Sequence, residues 1–577
     1  MLKKIATLTI VPLLIMLWAR FGAQPLALLG FNALVNYPSP YTDAIAPGKE
    51  AAAVSNQVIL MVVDALRADT ARTMPAVKAL LGKGADCVAQ TGQPSFSLPG
   101  WTVLGTGAWQ EQSGVTLNFY KDAIKVDTIF QAAKRKGLTT ALVAAGGSWK
   151  QLYPRGVDFN ESFKGPENPY GDLPAVRRVD DQVEATVLKL LKETKPNFLL
   201  YYLAEPDDAG HAASPLSKEY ADAVMATDAR LARLLAAINL ADTTLIITAD
   251  HGMRDGKGHG GNEPEVLATP LVMAGKGIQP GAKCASAQQA DLAPTLAVLL
   301  GTSIPAHNQG RPLFEALDLP ATLRAQRAVD AAQQIADRYA PAAKFLSAPA
   351  FEHKKLEEAK GAAAKGDADA AVQAARADFA NTNAQFAAAR EAKLNQERLA
   401  RLPIGILLLL PLAAYVYIYR RMGWAWFAPV VGLIAYNLVY NALYFGRGFT
   451  YSLSVFNIEA NIQPFFQART VDAMIALLVA FIAIGALSRR ADVYNTALNA
   501  VNSAFLIFAA LVAQILFFFV LWNSTFAWYI PDLALGFKYY LDVLQTSAFW
   551  PLLYVPLLAI LPFIALGARW VAKKIIK

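Results

Sequence analysis

Thr243-Thr244-Leu245-Ile246-Ile247-Thr248-Ala249-Asp250-His251-Gly252-Met253 joins an apolar, β-branched run to a carboxylate and an imidazole. The run is too short and too β-branched for a helix, so it reads as a buried strand over Thr243–Ala249. Similar runs occur at Gln57–Val63, Thr139–Ala144, Asn197–Leu203 and Leu267–Met273. Helical periodicity falls between them, as in Val179–Glu193 and Ser217–Ile238. Strands alternating with helices predict an α/β fold with a mostly parallel sheet covered on both faces. Residues 54–322 are expected to form this domain.

The flanks have a different composition. The chain has 577 residues, of which 55% are hydrophobic and 17% charged. That is apolar for a soluble protein, and the length implies more than one structural unit. Residues 1–36 begin with Lys3 and Lys4 and stay apolar through Leu34, interrupted by Arg20. No clean small-x-small cleavage site follows, which favours an uncleaved membrane anchor over a signal peptide. Residues 37–53 read as a linker. Residues 323–400 are rich in Ala, Gln and charge, and read as a connector of two or more long polar helices. Residues 401–577 carry five apolar segments: Pro403–Tyr419, Trp424–Phe445, Ala473–Leu487, Val501–Trp522 and about Phe549–Leu566. Together with the anchor they predict six spans in an α-helical multi-span transmembrane domain.

The charges give an orientation. With Lys3 and Lys4 in the cytoplasm, Arg420, Arg421, Arg489, Arg490, Arg569, Lys573, Lys574 and Lys577 all fall on the same side. Both termini are then cytoplasmic and the α/β domain lies outside. The opposite loops, 446–472 and 523–548, mix charges of both signs. Trp424, Trp426, Trp522, Trp528 and Trp550 sit near the expected interfaces, as an aromatic belt does. The net charge of +8 is concentrated beside apolar runs and is read as topology control, not nucleic-acid binding. Two cysteines, Cys87 and Cys284, make no disulfide scaffold or thiolate metal site. Whether they pair is left open by the sequence. The Ala-rich composition and sparse cysteines favour the periplasmic side of a bacterial inner membrane.

The chemistry-bearing residues cluster at predicted strand ends. Asp64 closes Gln57–Val63, and Asp250-His251 closes Thr243–Ala249. Glu205-Pro206-Asp207-Asp208-Ala209-Gly210-His211 follows Asn197–Leu203, with Asp207 and His211 one helical turn apart. His259 stands in Gly258-His259-Gly260-Gly261. Carboxylate and imidazole donors suit zinc first and manganese second. Pro94-Ser95-Phe96-Ser97-Leu98-Pro99-Gly100 pins a turn or helix start around a hydroxyl. Each piece alone has an ordinary reading as a cap or a loop. His307 and His353 are read as structural residues.

In their order, these motifs resemble the alkaline phosphatase superfamily over about residues 55–315. Within it, the chain resembles the nucleotide pyrophosphatase/phosphodiesterases and the ethanolamine-phosphate transferases of glycolipid-anchor synthesis. The resemblance implies an alkaline-phosphatase-like α/β/α sandwich and two divalent metal ions. Asp64, Ser97, Asp250 and His251 would hold one ion, and Asp207, His211 and His259 the other. Ser97 would be the nucleophile, with Ser95 its local competitor. Trp109-Gln110-Glu111-Gln112-Ser113-Gly114 leads to Asn118, which would donate to a phosphate oxygen. Asp291–Leu296 and Gly310–Leu313 would complete the domain structurally. The family often has His where this chain has Ser113, and many close-looking relatives use Thr where it has Ser97. No Cys-x-Pro-x-Arg pattern surrounds Ser97, which sets sulfatase chemistry aside.

The expected function is a membrane-bound two-metal phosphotransferase. It would move a phospho-alcohol such as phosphoethanolamine from a membrane lipid donor to a lipid-linked or glycan acceptor through a phosphoseryl intermediate. The later spans are what favour a bilayer substrate. A phosphodiesterase-type hydrolase is the alternative within the fold. A non-catalytic assembly scaffold or transporter is the alternative of another class, although the spans show no obvious inverted repeat and few buried charges.

Overall fold

A computed structural model describes residues 10, 13–14, 17–418, 427–487, 493–528 and 533–548. The expected span at Phe549–Leu566, the basic residues Lys3, Lys4, Arg420, Arg421, Arg489, Arg490, Arg569, Lys573, Lys574 and Lys577, and Trp424, Trp426 and Trp550 lie outside the described residues.

The α/β domain is built on strands β1 (Gln57–Val63), β2 (Ala85–Gln90), β3 (Thr140–Ala145), β4 (Phe159–Phe163), β5 (Phe198–Leu203), β6 (Thr243–Thr248), β7 (Ala268–Gly275) and β8 (Ala287–Gln288). They form one sheet in the order β4-β3-β5-β1-β6-β7-β2-β8. Val58 to Val63 of β1 are fully buried, because β1 lies between β5 and β6 and is covered on both faces. That is why its sequence is a continuous apolar run and not an alternating one. β7 pairs antiparallel with both β6 and β2, so the run read at Leu267–Met273 is the reversed strand of a mostly parallel sheet. β2 buries alternate residues and β4 is half-buried, so neither carries the apolar run that marks the central strands.

Register sets the functional edge. Val63 of β1 stands opposite Leu203 of β5, and Val62 stands opposite Thr248 of β6. Asp64, Ala204 and Asp250 therefore leave the sheet side by side at the carboxyl ends of three parallel strands, where open α/β sheets place their ligands.

The helices that matter begin with α1 (Gln24–Val35), α2 (Ser97–Thr106), α3 (Leu173–Glu193), α4 (Glu205–Ala213), α5 (Lys218–Ala237) and α6 (Leu292–Leu300). Asp172 caps α3 by accepting from the Ala175 N–H, and Ser217 caps α5 by accepting from Tyr220 N–H. The polar stretch after the domain forms α7 (Ala321–Phe345), α8 (Lys354–Ala364) and the start of α9 (Ala368–Ile418). α9 continues through Pro403 and Pro411 into the first apolar segment, so connector and span share one helix. At a rise of 1.5 Å per residue it is about 75 Å long.

Next come α10 (Phe427–Gly446), α11 (Ile462–Leu487), α12 (Val493–Trp522) and α13 (Leu533–Ala548). Among the described residues, four helices are long and apolar enough to cross a membrane: α9, α10, α11 with its leading turn, and α12. The chain is an integral membrane protein. Two expectations are corrected. The outer stretch 446–472 is not all loop, because α11 begins at Ile462; this lengthens the short segment Ala473–Leu487. The added turns carry Arg469 and Asp472, which pair at 2.7 Å, and Arg447 reaches the other oxygen of Asp472 at 2.8 Å. The stretch 523–548 contains α13, whose Lys538 and Asp542 pair one turn apart at 2.8 Å. The N-terminal segment joins this bundle: Trp18 Nε1 donates to Leu408 O at 2.7 Å, and Gln24 Nε2 to Thr546 Oγ1 at 2.9 Å.

Cys87 of β2 and Cys284 are joined as a disulfide across 197 residues of sequence. Closing so long a loop restricts the unfolded chain, an effect of about 5 kcal/mol in the chain-entropy account. Peptide mapping without reductant is expected to recover the two cysteines in one linked species. The paired Cys87→Ser, Cys284→Ser variant is expected to unfold at a lower temperature than the parent; equal midpoints would show that the bridge does not constrain the unfolded chain.

Candidate active site

Three carboxylates and three imidazoles converge beyond the ends of β1, β5 and β6. Asp64 comes directly off β1, Asp250 stands two residues past the end of β6, and His251 follows it. Asp207 and His211 project from α4, with His211 Nε2 3.3 Å from Asp207 Oδ2. His259 arrives on the glycine-rich loop after β6, its Nε2 3.7 Å from Asp207 Oδ1. Its ring stacks on His251 at 3.8 Å between centroids. Two groups, Asp64/Asp250/His251 and Asp207/His251/His259, bring ligand atoms within 4.8 Å of one another. His251 belongs to both and stands between them.

The hydrogen bonds fix which atoms face inward. His251 Nδ1 lies 3.0 Å from Gly252 O, and His259 Nδ1 lies 3.0 Å from Ser95 O. A carbonyl oxygen only accepts, so both Nδ1 atoms carry the proton and both Nε2 atoms present lone pairs. The His251 lone pair faces Asp64 Oδ1 at 3.4 Å and Asp250 Oδ2 at 3.6 Å. Asp64 Oδ1 and Asp207 Oδ1 are buried and have no hydrogen-bond partner. Lone pairs turned on carboxylate oxygens, with two of those oxygens orphaned, form a set that a metal cation between them would satisfy. The donor set suits zinc or manganese.

Electrostatics reflect this crowding. Burial, with Asp250 and Asp207 close by, pushes the Asp64 carboxyl well above the usual carboxylate range. Burial also raises Asp250, against the pull of His251. Burial would raise Asp207 too, but His211, His259 and His251 outweigh it and hold that carboxyl low. Burial and the neighbouring His251 push His259 down, whereas Asp207 outweighs burial and raises His211.

Ser97 opens α2, and its buried Oγ lies 3.2 Å from His251 Nε2. The free N–H groups and dipole of the helix start favour negative charge at this point. Asn118 is exposed beside it; its Oδ1 accepts from Leu98 N–H at 3.0 Å, which leaves the amide N–H₂ available to an oxyanion. Ser95 is turned away. Its Oγ donates to Gly261 O at 2.9 Å and accepts from Gly260 N–H at 3.2 Å. His307 accepts from Asp127 N–H and bonds Asp43 O, and His353 pairs with Asp378, both away from the cluster.

Two supporting residues were not read from the sequence. Trp101 Nε1 donates to Asp250 Oδ2 at 2.7 Å, and Tyr202 OH donates to Asp64 Oδ2. Trp101 is one helical turn from Ser97, a spacing that could have drawn attention to it. Tyr202 is a strand neighbour of Val62, and only the register reveals that.

Residues 58–286 match the family described as type I phosphodiesterase / nucleotide pyrophosphatase. GPI ethanolamine phosphate transferase 1 of Mus musculus is 26% identical over 301 residues, covering 44% of this chain and 32% of that protein. The catalytic subunit of GPI ethanolamine phosphate transferase 2 of Homo sapiens is 26% identical over 283 residues, covering 46% of this chain and 28% of that protein. The chain thus spans about a third of the length of the curated relatives it matches. Among solved structures, an inactive murine ectonucleotide pyrophosphatase/phosphodiesterase 5 in complex with AMP is 14% identical, with a TM-score of 0.37, covering 46% of this chain and 100% of that one. The match over residues 58–286, these transferase relatives and the mostly parallel sheet all fit the alkaline phosphatase superfamily.

Proposed function

We propose that the chain is a metal-dependent phosphotransferase that moves a phospho-alcohol such as phosphoethanolamine from a membrane lipid to a lipid-linked or glycan acceptor. The observation that carries this reading is Ser97 Oγ at a helix N-terminus, 3.2 Å from the imidazole shared by two metal-type clusters. Support for transfer over hydrolysis comes from the relatives named ethanolamine phosphate transferases and from the four membrane-length helices. Asp64, Asp250, His251 and Ser97 would hold one divalent ion, zinc or manganese, and Asp207, His211 and His259 the other. When bound, the ions supply positive charge that lowers the serine pKa and neutralises phosphate and leaving oxygens.

The chain's own groups then have defined work. Ser97 Oγ attacks phosphorus as the bond from phosphorus to the lipid alcohol breaks, and the serine proton leaves on that alcohol. Asn118 N–H₂ donates to a nonbridging oxygen where charge develops. Trp101 and Tyr202 hold Asp250 and Asp64 in place through the 2.7 Å indole bond and the phenol bond. The acceptor hydroxyl displaces Ser97 in the second step; water in its place would make the enzyme a hydrolase. The proposed orientation puts the domain on the periplasmic side, a location that suits the Cys87–Cys284 bridge.

Two experiments test this. Chelator-treated protein is expected to unfold at a lower temperature, and zinc or manganese at a hundredfold excess over Kd should restore about 2.7 kcal/mol. An unchanged midpoint would remove the metal centre from the reading. Second, zinc-loaded protein incubated with phosphatidylethanolamine and membrane glycolipid should yield a phosphoethanolamine adduct by mass spectrometry. Ser97→Ala should lower its rate by roughly three orders of magnitude or more, while Ser95→Ala retains it. Diacylglycerol with free phosphoethanolamine and no adduct would establish hydrolysis instead. Lipids unchanged by any Ser97-dependent reaction would sink both.

A further inference from the structure

The metal-type cluster is not built by the α/β domain alone. The segment between α10 and α11, residues 447–461, reaches over from the membrane half and touches it. Asn457 Nδ2 donates to His211 O at 3.2 Å, and Asn457 Oδ1 lies 3.0 Å from His211 Nδ1. The first bond settles the second. Turning the amide round would set its oxygen against a carbonyl oxygen, so Oδ1 must face the ring. An amide oxygen only accepts, so His211 Nδ1 carries a proton, and Nε2, 3.3 Å from Asp207 Oδ2, is the nitrogen left to ligate an ion.

The surroundings are shaped for this contact. Asn457 has φ +49° and ψ −63°, a sharply turned backbone outside the left-handed helical region. Ser454 Oγ accepts from Gly261 N–H at 3.0 Å and donates to Glu263 Oε2 at 2.9 Å. A Cβ on Gly258 would lie 2.3 Å from Ser454 O and 3.0 Å from Asn457 Cα, and one on Gly261 would lie 2.0 Å from Ser452 Oγ. The glycines flanking His259 are therefore what lets the segment approach. Behind it, Phe456 packs on Phe465 and Phe466 of α11 at 5.2 and 5.9 Å, and on Phe537 of α13 at 5.5 Å. The chain of contact runs from membrane helices through Phe456 to Asn457 and His211.

We infer that Asn457 is a positioning residue, supplied by the membrane half, that fixes the ring and tautomer of His211 for the ion held with Asp207 and His259. This rests on the metal-centre reading. An outer hydrogen-bond partner of a ligating histidine is typically worth 10- to 100-fold in metal affinity.

The test uses the full chain in detergent, with zinc affinity measured by competition against a chromophoric chelator and the visible spectrum recorded after cobalt loading. The parent is expected to bind two ions. Asn457→Ala should weaken one of them about 10- to 100-fold, leave the other at parental affinity and shift part of the cobalt spectrum. Asn457→Asp keeps the acceptor for Nδ1 but loses the donor to His211 O, so it should recover only part of the affinity and of the cobalt spectrum. Ser454→Ala loosens the segment without touching Asn457 and should weaken the same ion by a smaller factor; it decides the matter where Asn457→Ala does not fold. Parental affinities and spectrum in Asn457→Ala, or in Ser454→Ala where it stands alone, overturn the inference. A parent chain that binds neither zinc nor cobalt defeats the metal-centre reading itself, a different result.

Discussion

The register of β1 between β5 and β6 is the constraint on which the site depends. Pairing Val62 with both Tyr202 and Thr248 brings Asp64, the start of α4 and Asp250 to one edge. A slip of one residue would turn every β1 side chain to the opposite face and move Asp64 away from Asp250. Such a slip is opposed because both faces of β1 are packed, from Val58 to Val63. The same pairing sets Tyr202 beside Asp64, so one of the carboxylate's oxygens is satisfied while the other stays orphaned. Core packing thus determines which lone pairs are left for an ion.

Much of this was legible because central strands are continuous apolar runs. β1, β3, β5, β6 and β7 each declare themselves in that way, and the site carboxylates sit just past three of them. The rest was hidden for physical reasons. β2 alternates and β4 is polar, as partly exposed strands are, and β7 gives no sign of its reversed direction because burial is the same either way. α13 carries Lys538 and Asp542, charges that resemble a loop until they are seen to pair one turn apart. The cysteines could not be joined from sequence, since separation along the chain says nothing about proximity in space. Asn457 was invisible for the same reason: 246 residues separate it from His211.

The glycine run around His259 shows how a motif can serve two purposes. A histidine among glycines is commonly a loop residue of no special role. Here Gly260 sits against the Phe96 ring, which in turn meets the His259 ring at 5.7 Å. Gly258 and Gly261 clear the space into which the 447–461 segment descends. The pattern therefore admits both a close-packed imidazole and a neighbouring backbone, and a side chain at either outer glycine would collide with the segment.

The two halves are tied at more than one place, and this bears on how a bilayer molecule meets the site. Arg390 on α9 forms a forked pair with Glu111, with Nε and Oε1 at 2.8 Å, and Ser39 Oγ holds the Glu111 carbonyl at 2.7 Å. α9 runs on as a single helix into the apolar region. The 447–461 segment makes the second tie, at His211. One tie alone would leave a hinge about which the domain could rock. With two on different elements, rotation about either strains the other, so the two ties together oppose rocking of the domain against the helices. On the proposed reading, a lipid headgroup would reach Ser97 along the junction between the halves, where both ties lie.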